Sequence, residues 1–372
     1  MTEQTDNRPS VLVVGGGYGG IKVAKQLDDV AEVTLVDPTE AFVHNVAAWR
    51  ALVEPEWLDQ IFFRYDHLLK QGRFVQDRAV AVEGRQVTLG SGARLEPDYL
   101  VLATGSAYPF PAKVAEPDVE SARARLRAAH AELLDAERVL LIGAGPSGLE
   151  LAGEIKAFFP EKQVTIVDAG ADILPGPYDQ ELREELRRQL DKLGVQLVLG
   201  SRLRGLPSAE PATRAAVSVT TEAGEELTAD IWYRCFGVAP VSEYLGGALA
   251  EARNEQGYLR VDAQLRVVGQ DRVFAIGDLS DADLNQAGRA GAQADLVAAN
   301  LRQLITGEGD RADYQPMPPL IIVPLGPEGG AGLLPGMVEG VAGPEIAADI
   351  KGRNMLVGMY ATLFDAVPDE VG

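Results

Sequence analysis

Two glycine triplets at one spacing, Gly15-x-Gly17-x-x-Gly20 and Gly143-x-Gly145-x-x-Gly148, are the residues most able to do chemistry in this chain. Each follows an apolar run, Val11 to Val14 and Val139 to Ile142, and each opens a helix-like stretch. Roughly 20 residues further on, a second apolar run ends in an acid, Asp37 in one case and Asp168 in the other. A pyrophosphate explains the pattern. The glycines allow a tight turn and close approach of backbone N–H groups, and a helix N-terminus favours the phosphate charge. The acid hydrogen-bonds a ribose hydroxyl. One such unit holds one dinucleotide. Two units imply two, and the usual reason is passage of hydride from a nicotinamide to a flavin. A glycine-rich turn without a ligand is the plain alternative, since 40 of 372 residues are glycine. A strand before, a helix after and a distal acid in both copies weigh against it.

These turns need elements to hold them. Residues 10 to 36 read as strand, glycine turn, helix and strand, and 138 to 168 repeat that order. Residues 40 to 70 read as loop and helix, with Phe42, Trp49, Trp57, Phe62 and Phe63 expected to pack inside. Short alternating strands from 73 to 103 predict a meander with turns at Glu83-Gly84 and Gly90-Ser91-Gly92. Proline-rich residues 107 to 117 read as a linker. Helices are expected over 120 to 137, 179 to 193 and 286 to 305, with a second meander from 215 to 236. Residues 315 to 344 are rich in Pro and Gly, and one closing helix is expected over 345 to 365. The two halves share an architecture, the second copy inserted into the first.

The length predicts two or three domains with well-buried cores. A net charge of −21, from 34 basic and 55 acidic residues, argues against nucleic acid and against electrostatic docking on anionic lipid, and reads as solubilising charge. The lone Cys235 permits no intramolecular disulfide, and His44, His67 and His130 have no metal-ligand spacing. The N-terminus MTEQTDNRPS lacks the apolar core of a signal peptide, residue 2 is not glycine, and no apolar run reaches about 18 residues. The expected location is cytoplasmic.

Four motifs in combination resemble the pyridine nucleotide-disulfide oxidoreductase fold over roughly residues 10 to 305: GGGYGG at 15 to 20, ATGS at 103 to 106, GAGPSG at 143 to 148 and AIGD at 275 to 278. The resemblance implies an α/β protein of two Rossmann-like dinucleotide-binding domains, the NAD domain inserted in the FAD domain, plus a C-terminal segment. The expected boundaries are 8–112 and 241–308 for the FAD domain, 113–240 for the NAD(P)H domain, and 309–372 for a flavin-covering or interface segment. FAD would be held by Gly15, Gly17, Tyr18, Gly19, Gly20, Asp37, Asn45, Ala103, Thr104, Gly105, Gly277 and Asp278. The helix beginning near Gln286 and Ala287 would point its N-terminus at the flavin N1–C2=O edge, where the reduced ring is anionic. NAD(P)H would lie against Gly143, Gly145, Pro146, Ser147, Gly148, Asp168 and Gly237. Asp168 favours NADH over NADPH, because a carboxylate accepts a 2′-hydroxyl and repels a 2′-phosphate, and no arginine adjoins it in sequence.

The strings Phe42-Val-His44-Asn45-Val-Ala-Ala-Trp-Arg50 and Leu149-Glu150-Leu-Ala-Gly-Glu154-Ile-Lys are similar to the ferroptosis-suppressor branch of the apoptosis-inducing-factor flavoproteins, and more distantly to type II NADH dehydrogenases. That branch comprises NAD(P)H:quinone oxidoreductases acting at lipid surfaces, and it places a lysine, here Lys351, beside the flavin. Lys351 then stabilises anionic flavin or a quinone oxygen, or is a surface charge. Glu150 faces the nicotinamide, or is a helix-start acid. Glu154, one turn on, pairs with Lys351 or is solvated. His44 contacts flavin or donates a proton to the acceptor, or is structural. Two features depart from that branch: residue 2 is not glycine, and the tail LFDAVPDEVG is acidic. The apolar stripe Ile346, Ile350, Leu356, Met359, Tyr360 and Leu363 therefore reads as a core face or homodimer contact, with membrane association weak or absent. With one cysteine, a thiol relay is excluded. The leading expectation is an NADH-dependent flavoprotein reducing a quinone-like small molecule. A reductase for a ferredoxin-like protein and a slow NADH-sensing flavoprotein are the alternatives.

Overall fold

The computed structural model describes residues 8–366; residues 1–7 and 367–372, on which much of the N-terminal leader reading and the end of the acidic tail fall, lie outside the described residues. Strand β1 (Ser10–Val14) is an apolar run shielded on both faces, as a central parallel strand must be. The first glycine triplet turns the chain into α1 (Tyr18–Leu27), which buries Ile21, Val23, Ala24 and Leu27. Burying each large aliphatic side chain there contributes about 1.5–3 kcal/mol. The chain returns as β2 (Glu32–Asp37), parallel to β1 with Val11 opposite Val33. β3 (Ala41–Val43) and β4 (Phe62–Arg64) pair antiparallel, with α2 (Ala48–Val53) between them in the chain. β5 (Arg73–Gln76) extends the parallel sheet beside β2. β6 (Ala79–Glu83), β7 (Gln86–Leu89) and β8 (Arg94–Leu95) form an antiparallel meander, and β9 (Tyr99–Leu102) returns to pair with β1. The meander expected over 73 to 103 is thus confined to three strands. Leu100, Val101 and Leu102 form a continuous buried run rather than an alternating one, which suits a sheet covered on both faces.

β10 (Ser106–Ala107) leaves this unit, and α3 (Val119–Leu134) follows, capped by Asp118, which accepts the Ser121 N–H. The second unit comprises β11 (Arg138–Ile142), α4 (Pro146–Phe158), β12 (Gln163–Val167), α5 (Gln180–Lys192) and β13 (Gln196–Val198). A hairpin of β14 (Val217–Thr220) and β15 (Glu226–Ala229) precedes β16 (Ile231–Arg234), which runs parallel to β11. The sheet order is β13-β12-β11-β16. β17 (Ala239–Pro240) pairs antiparallel with β10, so the chain leaves and re-enters through adjacent strands. After α6 (Gly247–Glu251), β18 (Val273–Ala275) completes the first sheet in the order β18-β9-β1-β2-β5. That sheet draws strands from both sides of the second βαβ unit, as an inserted copy requires.

α7 (Ala287–Thr306) packs on α1. The Pro/Gly-rich stretch folds into an antiparallel sheet of β19 (Ile321–Pro324), β20 (Gly330–Leu333) and β21 (Val341–Ala342). Its Val323, Leu325 and Ala331 share a core with Leu151 and Ile155 of α4 and Leu186 of α5. The single helix expected over 345 to 365 is broken. α8 (Pro344–Ala347) runs into a π turn at Ala348–Gly352, and α9 (Val357–Leu363) begins only after Met355 and Leu356 adopt φ of +47° and +63°. Left-handed residues end helical phase. The stripe read for this segment packs in part: Tyr360 meets Phe42, while Met359 stays exposed. Among the described residues no helix is long and apolar enough to cross a membrane.

Candidate active site

The two triplets build matching cradles. Gly15 and Gly143 have φ of +104° and +116°, and a side chain on either would run into the backbone of Ala103 or Cys235. A Cβ on Gly20 or Gly148 would collide with the carbonyl oxygen of Gly15 or Gly143. Gly17 and Gly145 differ. Their φ of −74° and −75° suits any residue, and a Cβ would meet no neighbouring atom within 4 Å. The protein has no steric need for glycine there, and the space before each helix is open. Both residues begin helices, α1 and α4, that carry no side-chain cap. Helix N–H groups without intrahelical partners are therefore available at both open spaces, and a pyrophosphate fits them.

Asp37 accepts the N–H groups of Gly16 at 2.6 Å and Thr39 at 2.9 Å. Asp168 does the same in the second copy, accepting from Ala144 at 2.7 Å and Gly170 at 2.6 Å. Each acid therefore braces its glycine turn from the end of the adjoining strand. Gly19 packs close to Ile276 and Ala290, which brings α7 against α1.

In the first unit, Ala103 donates its N–H to Val14, and Thr104 donates its hydroxyl to the Val241 carbonyl at 2.9 Å. Gly105 accepts from Val241, and Ser106 donates to Asp278 at 2.6 Å. Gly277 donates to the Gln293 amide oxygen at 2.7 Å. Lys113, which sequence reasoning left inside a linker, donates to the Ser106 carbonyl. Burial pulls its pKa down, while Asp278 and Asp37 pull it up, so this ammonium lies in the field of both acids of the first cradle. Asn45 is a brace, accepting from Val114 at 3.0 Å and donating to Val43 at 3.2 Å. Gln286 precedes α7 without capping it; its amide donates to the Tyr178 hydroxyl and the Leu320 carbonyl. The first turn of α7, from Ala287, thus also starts without a side-chain cap.

In the second cradle, Pro146 opens α4 and Ser147 meets the Tyr108 hydroxyl, which burial pushes up to about 12. Gly237 lies against the Arg234 guanidinium, whose Nε is buried without a partner. Tyr108 and Arg234 were missed in the sequence because a linker and a strand end carry no periodic signal. Cys235 is buried below the turn, and burial raises its thiol to about 12, far from a reactive thiolate.

Glu150, Glu154 and Lys351 lie about the α2–α4 contact and His44 lies just beyond the π turn, but Glu154 follows neither reading the sequence offered for it. Lys351 Nζ donates to Glu150 at 2.7 Å. Glu154 meets neither Lys351 nor solvent; it is 1% exposed and pairs with Arg50. One helical turn separates the two acids, and the π turn at Ala348–Gly352 presents Lys351 to the first while Arg50 takes the second. His44 is buried, with Nε2 at 2.6 Å from the Met355 carbonyl and Nδ1 at 3.2 Å from the Tyr18 hydroxyl. A carbonyl only accepts, so Nε2 carries the proton and Nδ1 accepts from Tyr18, which in turn accepts the Val46 N–H. Burial pulls the His44 pKa down to about 4, with Lys351 adding to the effect. A neutral ring with both nitrogens engaged braces the Lys351 turn, which is the structural role among the readings the sequence offered for His44.

A stability test follows from that shift. The folded value of about 4 lies below the ordinary 6.5, so the unfolded chain binds the proton first as pH falls. His44's contribution is complete above 6.5 and is lost progressively toward about 4. The loss amounts to roughly 3 kcal/mol. Urea midpoints measured across this window should fall more steeply for the wild type than for His44→Asn. Parallel slopes would show that His44 does not titrate this way.

Residues 9–294 match the family model described as pyridine nucleotide-disulphide oxidoreductase, and this chain belongs to that family. The family binds FAD and NAD(P)H. The chain is 33% identical to human ferroptosis suppressor protein 1 over 340 residues, covering 89% of this chain and 90% of the relative. It is 31% identical over 346 residues to apoptosis-inducing factor homolog B of Dictyostelium discoideum, covering 88% and 89%. The solved structure of NDH2 from Plasmodium falciparum in complex with NADH shares the fold, with a TM-score of 0.75 at 13% identity over 96% of this chain and 95% of that one.

Proposed function

We propose that this protein is an NADH:acceptor oxidoreductase that passes two electrons through FAD to a quinone-like small molecule, without a redox disulfide. The observation that carries this reading is the Lys351–Glu150 pair. It brings one ammonium to α4, the helix that starts at the second cradle, beside α2 of the first unit. FAD, when bound, supplies the redox chemistry, taking hydride from the nicotinamide and passing two electrons on. The chain supplies binding, orientation and charge. The Gly17 turn, Asp37 and the start of α1 would hold one pyrophosphate and its ribose; the Gly145 turn, Asp168 and the start of α4 would hold the other. Lys351 keeps positive charge where negative charge develops on the acceptor, and Glu150 fixes it there. Tyr18, His44 and Tyr360 pack into an aromatic wall that His44 ties to Met355, just beyond the Lys351 turn. The lone buried Cys235 offers no second sulfur for a relay.

Steady-state oxidation of NADH by the purified protein with a short-chain soluble quinone tests the reading. Many turnovers per protein molecule are expected. A reaction that stops after one equivalent of NADH contradicts it.

Asp168 supports NADH over NADPH. Asp168→Ser keeps a hydrogen-bonding group for the turn and removes the charge that opposes a 2′-phosphate. The ratio of kcat/KM for NADPH to that for NADH should rise about tenfold or more, equivalent to ~1.4 kcal/mol. An unchanged ratio would remove the carboxylate from the account of specificity.

A further inference from the structure

Glu150 and Glu154 lie one turn apart on α4, and the structure joins them through a closed ring of contacts. Glu150 accepts from Lys351 Nζ at 2.7 Å. Glu154 accepts from Arg50 Nε at 2.6 Å and from Arg50 Nη2 at 2.9 Å. The same Nη2 also donates to the carbonyl of Gly352, the residue after Lys351, at 2.9 Å. The ring therefore runs from Glu150 to Lys351, along the chain to Gly352, across to Arg50 and back through Glu154 to α4. Three distant segments meet in it: α2, α4 and the C-terminal π turn.

A planar fork of donors is what this geometry needs, since one group must serve a carboxylate twice and a carbonyl once. The rings of Trp57 and Phe158 lie 5.1 and 5.5 Å from the Arg50 guanidinium and limit its swing. Arg50 and Glu154 are 2% and 1% exposed. Burying such a pair carries a desolvation cost that a well-packed apolar pair would avoid. An apolar pair, however, could not bond Gly352. Lys351 Nζ also reaches the Ile322 carbonyl at 3.4 Å, and the Met355 N–H donates to the Lys351 carbonyl, but neither contact reaches Gly352. Arg353 reaches Glu328 and Asp349 at the exposed side, and His44 holds Met355 beyond the turn.

We propose that Arg50, keyed by Glu154, is a positioning residue that holds the π turn so that Lys351 stands against Glu150. This inference rests on the role proposed above for Lys351, and the test separates the two.

Arg50→Lys keeps the charge but loses the fork, and Glu154→Gln removes the carboxylate charge and one of the two acceptor oxygens that key the guanidinium. Both are compared with the wild type as full-length, FAD-loaded protein. The first readout is lysine acylation followed by mass spectrometry. Lys351 is 14% exposed, against 81% for Lys70. Labelling of Lys351 should rise severalfold in both variants, while Lys162, 5% exposed and remote from the turn, stays protected. Unchanged labelling at Lys351, or an equal rise at Lys162, overturns the proposal. The second readout is kinetic. Arg50→Lys should lower kcat with the acceptor and leave KM for NADH unchanged, and its effect should vanish in a Lys351→Met background. Additive losses overturn the proposal. If Lys351→Met alone turns over like the wild type, the catalytic reading of Lys351 fails, and acylation still decides whether Arg50 positions it. Should Arg50→Lys not fold, Glu154→Gln carries both comparisons.

Discussion

Gly17→Val should fold and yet retain no FAD. The residue sits at φ −74° with no neighbouring atom within 4 Å of a would-be Cβ, so valine meets nothing in the protein itself. Its methyl groups enter the space before α1 where a pyrophosphate must approach the helix N–H groups. Loss of those contacts weakens binding at least a hundredfold, about 3 kcal/mol or more. Gly145→Val makes the matched case, with φ −75° and the same open space. That variant should keep its flavin while NADH no longer bleaches it. Gly20→Val and Gly148→Val are the contrast, because their side chains strike carbonyl oxygens of the turn and the fold itself should fail. Flavin absorbance per protein after desalting, beside circular dichroism, reads all four. A Gly17→Val protein with full flavin would mean that the first cradle does not hold a pyrophosphate.

Lys351→Met should separate the two half-reactions. Methionine keeps much of the side chain's length and removes only the ammonium that Glu150 holds at 2.7 Å. Reduction of bound flavin by NADH should stay within a few-fold of wild type, while reoxidation by a quinone slows about 10²–10³-fold, equivalent to roughly 2.7–4 kcal/mol of charge stabilisation. Rapid-mixing absorbance traces of each half-reaction measure this directly. Equal slowing of both would assign Lys351 to nucleotide binding or to the fold. The double variant with Glu150→Gln controls for the carboxylate left without its partner, which has its own desolvation cost.

The parts of this molecule legible in the sequence are those fixed by local backbone demands. Gly15 and Gly143 need positive φ, Gly20 and Gly148 need the absence of a side chain, and Asp37 ends its strand while Asp168 directly follows its own. Such requirements lie within one βαβ unit, so spacing reveals them. The meander and the closing helix were harder. β9 is apolar throughout because both its faces are covered, and the C-terminal helix breaks where the Met355 carbonyl turns to His44. Neither cause is local. The pairing at the seam was the least legible. Helical spacing put Glu150 and Glu154 on one face, but which acid meets Lys351 depends on Arg50, a residue on another helix whose role no periodicity marks. Tyr108 was hidden for the same reason, since folding brings Ser147 to it, whereas Lys113 and Arg234 lie in a linker and at a strand end that carry no periodic signal.

The most direct measurement is anaerobic. The FAD-loaded protein receives one equivalent of NADH, and the oxidised-flavin absorption band is followed before and after a short-chain quinone is added. The account predicts bleaching by NADH and full recovery with quinone, repeated on each further addition of NADH. Bleaching that quinone does not reverse would contradict the proposed acceptor, and a band that NADH leaves unchanged would contradict the hydride route itself.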